Sequence, residues 1–205
     1  MVKEPWVKRV VAFVDGQNLF HGAREAFGHE VPDYDVLRLA RTICGTRHWL
    51  LEGVYFYTGM PDPVTRPHWH SWWATRLATM GSRGIRTFTR PIRYRQQSVS
   101  LPDGSKISLR VGQEKGIDVR IALDMVRLAR AESYDVCLLF SQDQDLSEAV
   151  DEIRALARDQ ERWVRVACAF PLASRSRNRR GVNGTEWIPI DAPTYERCRD
   201  PGHSR

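Results

Sequence analysis

The chain is poor in lysine, has no long apolar run and has no closely paired cysteines. Lysine occurs only at Lys3, Lys8, Lys106 and Lys115, so 27 of the 31 basic residues are arginine. No apolar stretch approaches the roughly 20 residues that a bilayer span needs. Met1 to Trp6 lacks the apolar stretch of a secretory signal. These absences predict a cytoplasmic protein with no membrane partner. Cys44, Cys137, Cys168 and Cys198 form no Cys-x-x-Cys pair, which argues against a zinc site. Cys137 and Cys168 fall inside apolar runs, where a thiol acts as a small hydrophobe. No Gly-x-Gly-x-x-Gly follows the first apolar run, which argues against a dinucleotide enzyme.

What is present is an ordinary globular composition over 205 residues, 42% hydrophobic and 27% charged, enough for one domain with a sizeable core. The net charge is +6. Arginine forks match phosphate geometry, so the balance points to polyanionic partners; a genome that writes Arg wherever Lys would serve gives the same count.

Short apolar runs alternate with helical patterns. Arg9–Val14, Leu50–Tyr57, Ile85–Thr89, Val136–Phe140 and Trp163–Phe170 read as strands. Helices are expected from Leu19 to Phe27, after a cap at Asp33 or Asp35, from Trp69 to Gly81, from Gly116 to Arg130 and from Leu146 to Arg158. Alternation of this kind predicts a parallel sheet covered on both faces, with about five strands. Right-handed crossovers give the order 3-2-1-4-5. Pro102-Asp103-Gly104 between alternating segments predicts a β-hairpin insertion over about 90–112, at the sheet edge or above the carboxyl ends. Trp187–Ile190 reads as a further short extended segment, Ala192–Arg199 as a short helix, and Asp200–Arg205 as a loose end.

The organising stretch is Val136 to Asp145, an apolar strand that ends in Ser141-Gln142-Asp143-Gln144-Asp145. Asp15 ends the first strand, and the predicted order makes the first and fourth strands neighbours at the switch point, where open α/β sheets bind ligands. For Asp143 or Asp145 alone, a helix cap is an equal reading. A third acid, Asp118, falls on a helical wheel with Ala122, Met125 and Ala129, where an unpartnered carboxylate is costly. Asp124 lies on the edge shared with Arg120 and Arg127 and is either a supporting residue or a surface ion pair. Asp15, Asp118, Asp143 and Asp145 in one pocket would repel one another, so either protons are taken up or a cation sits among them. Oxygen ligands without His or Cys favour Mg²⁺ or Mn²⁺. Asn18 could orient a phosphate and Lys115 contact one, while Ser141 is placed as a supporting residue.

Three motifs carry a resemblance: Val11 to Phe20 (VAFVDGQNLF), Lys115 to Val119 (KGIDV) with Ala122–Asp124 (ALD), and Leu138 to Leu146 (LLFSQDQDL). In this order and spacing they resemble the NYN-domain proteins, a branch of the PIN-like nuclease superfamily. The resemblance spans about residues 9–170. It implies a PIN-like Rossmannoid three-layer α/β sandwich and Mg²⁺- or Mn²⁺-dependent RNA cleavage. The metal carboxylates it implies match Asp15, Asp118, Asp143 and Asp145, and Asn18 matches the family's asparagine. Gln142 departs from the Gly that many relatives have after the Ser, and is expected to narrow the site. The whole chain, 1–205, is then one domain with a hairpin insertion and a basic extension over 171–205. The alternative is a non-catalytic RNA-binding or regulatory protein on the same fold, against which the intact acidic set argues. A phosphatase would need Asp-x-Asp on the first strand, where Gln17 stands instead. Arg90, Arg93 and Arg95 on one side, and Arg177, Arg179 and Arg180 on the other, are expected to flank the acids and grip RNA. Target, mode of cleavage and self-association are left open.

Overall fold

In the computed structural model, residues 2–100 and 105–200 are described. Eight strands and six helices alternate: β1 (Lys8–Asp15), α1 (Gly16–Phe27), α2 (Val36–Thr46), β2 (Trp49–Met60), α3 (Pro67–Ser82), β3 (Arg86–Pro91), β4 (Arg93–Ser100), β5 (Lys106–Gln113), α4 (Ile117–Arg130), β6 (Val136–Phe140), α5 (Ser147–Asp159), β7 (Arg165–Pro171), β8 (Glu186–Ile190) and α6 (Ala192–Arg197). Six strands form one sheet in the order β3-β2-β1-β6-β7-β8, and every pairing in it is parallel.

The apolar runs form strands because they are buried on both faces, and alternate side chains feed two cores. Val10, Ala12, Val14, Leu138 and Phe140 pack with Leu19 of α1, Leu39 of α2, Met80 of α3 and Tyr195 of α6. Val11, Phe13, Cys137 and Leu139 pack on the other face with Ile121 and Met125 of α4 and Val150 of α5. The result is a three-layer α/β sandwich.

Two expectations are corrected. The sheet has six strands rather than five, because Glu186–Ile190 pairs with Ala167–Pro171. β7 is therefore an interior strand, and much of the supposed extension is sheet and core. Asp200 is also held: its amide donates to the Asp33 carbonyl at 2.6 Å. Residues 201–205, expected to be loose, lie outside the described residues. The hairpin forms its own two-stranded antiparallel ribbon, β4 with β5; the predicted Pro102-Asp103-Gly104 turn lies outside the described residues. Its base stands above the carboxyl ends of the sheet, where the Ile92 amide donates to the Met60 carbonyl at 2.9 Å.

Candidate functional site

β1 pairs with β2 on one side and β6 on the other. The chain builds outward through β2 and β3 and returns to β6, so the switch point lies between β1 and β6. Asp15 is the last residue of β1 and also caps α1, its Oδ1 accepting the Asn18 amide at 3.0 Å. The helix begins at once, three residues earlier than Leu19, because Gly16 permits it: a Cβ there would stand 2.5 Å from the Phe56 ring and 3.0 Å from the Tyr57 carbonyl.

Ser141, directly after β6, joins the two acids. Its hydroxyl donates to Asp15 Oδ2 at 3.4 Å and accepts the Asp143 amide at 3.2 Å. Asp143 in turn caps the single 3-10 turn Gln144–Leu146, accepting the Asp145 amide at 3.1 Å. Capping and membership of a site are thus compatible for Asp15 and Asp143. The Asn18 Oδ1 accepts the Gln142 amide at 2.8 Å, tying α1 to the turn after β6.

A cleft of about 480 Å³ opens over these strand ends, lined by Asp15, Asn18, Lys115, Asp118 and Asp143 together with His21 and Glu114. Asp118 reaches it from the first turn of α4, which starts after Gly116 in the left-handed region at φ 73°. Burial raises the Asp15 carboxyl to about 6; the Asp143 charge adds to this, against the Asn18 amide and the Ser141 hydroxyl. Glu114 went unnoticed in the sequence. Its carboxylate accepts the Gly59 amide, and burial, with Asp15 adding, raises it to about 7. Its neighbours come from distant segments, so only its place one residue before Lys115-Gly116-Ile117-Asp118 could have marked it. Burial lowers His21, and Arg24 adds to the effect.

Not every expected residue converges on the cleft. Asp145 is exposed and absent from the lining; the turn directs its backbone N–H, rather than its carboxylate, toward Asp143. Asp124 lies in a separate hollow with Tyr55, Arg86 and Phe88. It is 4% exposed and takes up Arg120 Nε at 2.8 Å, Arg127 Nη2 at 3.1 Å and the Tyr57 hydroxyl at 3.1 Å. Burial pushes its carboxyl up, but the hydrogen bonds from Arg120, Tyr57 and Arg127 outweigh it and hold the group below the ordinary range. Of the two readings left open for it, the ion pair is the one present, but more deeply placed than a surface pair: the buried arc of α4 runs through Ile117, Ile121, Asp124, Met125 and Leu128. Gln142 does not narrow the cleft. Its Nε2 donates to the carbonyls of Asn178 at 3.3 Å and Arg180 at 2.9 Å, in the basic loop.

The arginines are dispersed. Arg90 lies over the Phe88 ring at 5.7 Å; Arg93 and Arg95 are exposed on β4, and Arg95 donates to Gln113. In the loop between β7 and β8, Arg179 donates to the Ala173 carbonyl at 2.9 Å and Arg180 to Asn183 Oδ1 at 3.2 Å. The amide of Arg177 donates to Glu25, while its side chain is exposed. Because β8 follows, this loop leaves an interior strand rather than the sheet edge.

Asp15, Asp118 and Asp143 supply oxygen donors of the type Mg²⁺ and Mn²⁺ take. Among the described residues no group of three or more His, Cys, Asp or Glu side chains is close enough to enclose an ion. The arrangement suits an ion that keeps several waters and binds through one or two carboxylates, and a buried, like-charged carboxylate such as Asp15 gains from such an ion. No helix among the described residues is long and apolar enough to cross a membrane.

Comparison with known proteins agrees with the fold. The chain is 27% identical over 149 residues to the low amplitude and bright protein LabA of Synechococcus elongatus, covering 72% of this chain and 68% of that one. A solved structure of a protein of unknown function, VPA0982 of Vibrio parahaemolyticus, shares the fold with a TM-score of 0.52 at 20% identity, over 90% of this chain and 94% of that one. The NYN domain model matches residues 9–176, so the chain belongs to the NYN-domain family, whose members share a PIN-like α/β fold.

Proposed function

We propose that the protein is a metal-dependent ribonuclease that hydrolyses RNA phosphodiester bonds in the cleft between the ends of β1 and β6. The observation that carries this reading is the convergence of Asp15, Asp118 and Asp143 on one cleft with Lys115 and Asn18. Asp15 and Asp143, with Asp118 beside them, would hold Mg²⁺ or Mn²⁺. When bound, such an ion supplies charge against a phosphoryl oxygen and lowers the pKa of water. Ser141 fixes the spacing of the two strand-end acids through its two hydrogen bonds. Asn18 Oδ1 is taken by Gln142, which leaves the Asn18 side-chain amide to donate to a phosphate oxygen. Lys115 is exposed and, among the described residues, makes no ion pair, so its ammonium is available to the substrate phosphate and to charge developing on it.

Labelled single-stranded RNA incubated with Mn²⁺ or Mg²⁺ tests this. The wild type should cleave it and lose cleavage in EDTA. Asp143→Asn should slow cleavage by about a hundredfold or more, as loss of a strong electrostatic element does, with its circular dichroism unchanged. Equal rates for the two proteins would remove Asp143 from the chemistry. RNA binding without cleavage would favour the regulatory reading.

A further inference from the structure

Beside the acidic cleft lies a second hollow of about 430 Å³, walled by Phe20, Trp69, Trp73, Tyr94 and Ile92. The two are neighbours that share a wall: Gln17, His21 and Glu114 line both. The aromatic wall is built before any ligand arrives. Trp73 stacks on Phe56 at 6.0 Å and meets Trp72 edge-on at 5.0 Å; Trp72 meets Trp69 at 5.8 Å. Arg110 backs the Tyr94 ring at 4.7 Å. The loop before α3, which supplies Pro61 and Arg66 to the lining, is held by Asp62, which accepts the amides of Val64 and Thr65, and by His70 Nδ1 against the Pro61 carbonyl at 2.8 Å. Trp69 nevertheless stays 38% exposed. Packing the core does not require it there, since the core beneath is closed by Phe56 and Met80.

A hollow of this size, apolar and ring-lined, with Arg24 and Arg66 at its rim, has the chemistry of a base-stacking platform. We propose that it receives one unpaired nucleobase of the RNA strand whose phosphate lies in the acidic cleft. This rests on the ribonuclease reading and adds substrate class to it. A base in a duplex cannot enter without leaving its stack, so the substrate is single-stranded at the cleavage point. Recognition is by ring faces and therefore tolerates sequence.

The test separates binding from cleavage. A fluorescent single-stranded octamer, and copies of it with one abasic ribose at each position in turn, are titrated by anisotropy in Ca²⁺ and assayed for cleavage in Mn²⁺. For the wild type, one abasic position should weaken binding by about tenfold to a hundredfold, the range of one lost stacking contact. The others should matter less. Trp69→Ala should lose a similar factor on intact RNA and little more on that one abasic copy; Trp69→Phe should recover most of it. Because Trp69 is partly exposed, the alanine variant should fold, and Tyr94→Ala provides a second probe of the same wall. A flat abasic series, or a Trp69→Ala loss equal on intact and abasic RNA, overturns the base pocket. If wild type cleaves nothing yet shows the abasic dependence in binding, the hydrolase reading fails and the pocket stands. If RNA does not bind, both fall.

Discussion

At the scale of single residues, two carboxyls are held above their ordinary range, and the sign of their effect on folding follows. Asp15, raised from 3.8 to about 6, and Glu114, raised from 4.5 to about 7, keep protons in the folded chain that the unfolded chain has released. Stability in EDTA should therefore fall as pH rises from about 4 to about 7, by on the order of 3 kcal/mol for Asp15 alone. Asp35 and Asp124 are held low instead, and their contributions are lost only as pH falls below that window. Thermal unfolding at pH 4.5, 5.5 and 7 checks this; Asp15→Asn should flatten the slope, and added Mn²⁺ should reverse it near neutrality. A melting temperature that climbs steadily from pH 4.5 to 7 in EDTA would contradict the burial of both groups. Asp124 predicts a different phenotype from Asp118. Asp124→Asn strips partners from Arg120, Arg127 and the buried Tyr57 hydroxyl. It should cost about 1–3 kcal/mol, since the arginines are partly solvated, while sparing turnover per folded molecule. Asp118→Asn should do the reverse. Urea melts read beside cleavage rates of the folded fraction separate the two.

At the scale of elements, the loop between β7 and β8 is fastened to the turn after β6. Besides the two hydrogen bonds from Gln142, Gln144 donates to the Gly181 carbonyl and accepts the Asn183 amide, both at 3.1 Å. The Gln-x-Gln spacing that looks like an intrusion between acids is a clamp on the loop. Replacing both glutamines by alanine should release that loop and make trypsin cut after Arg177, Arg179 or Arg180 at least tenfold faster, read by mass spectrometry under native conditions. The same geometry divides the arginines. Arg179 and Arg180 spend hydrogen bonds inside the loop, whereas the Arg177 side chain has no such tie among the described residues. Arg177→Ala should therefore weaken RNA binding and reduce its salt slope by about one, and Arg179→Ala should act mainly on loop order.

At the scale of the whole molecule, the sequence motifs stop short of what holds the fold. The match to the NYN domain ends at residue 176, yet Val182, Ile188, Ile190, Tyr195 and Cys198 are all buried. Each of the three aliphatic side chains contributes about 1.5–3 kcal/mol, so even without Tyr195 and Cys198 they rival the lower part of a typical margin of about 5–15 kcal/mol. A chain ending at Leu172 should be insoluble or molten, which solubility and near-ultraviolet dichroism would show. Five strands, the helices and the switch point were legible because continuous apolar runs and helical spacing are local signals. Asp15 and Asp143 were legible because each stands at the end or the cap of a recognisable element; Asp118 was found by a helical wheel that set it on the buried arc, whereas that arc runs through Ile117, Ile121 and Asp124 and leaves Asp118 at its edge. β8 was only half legible: a Pro within Trp-Ile-Pro-Ile reads poorly as a strand, and an edge position is what tolerates it. Glu114 and the glutamine clamp were not legible, since each acts on a segment far away in the chain. Asp145 misled because a place just past the end of a strand does not fix where a side chain points once the chain enters a 3-10 turn.

The acids meet only because β1 pairs with β6, and Asp15 and Ser141 are 126 positions apart. β2 can align with β1 soon after both leave the ribosome. The other edge of β1 must wait for β6, which at roughly 5–20 residues per second is about 6–25 s of synthesis. For most of that interval the emerging chain holds Asp15 without Glu114 or Asp118, and throughout it without Asp143, so the cleft is incomplete. Parallel pairing across so long a separation is also slow to form. Whatever chemistry this centre carries out, its own order of assembly postpones it until most of the chain has been made.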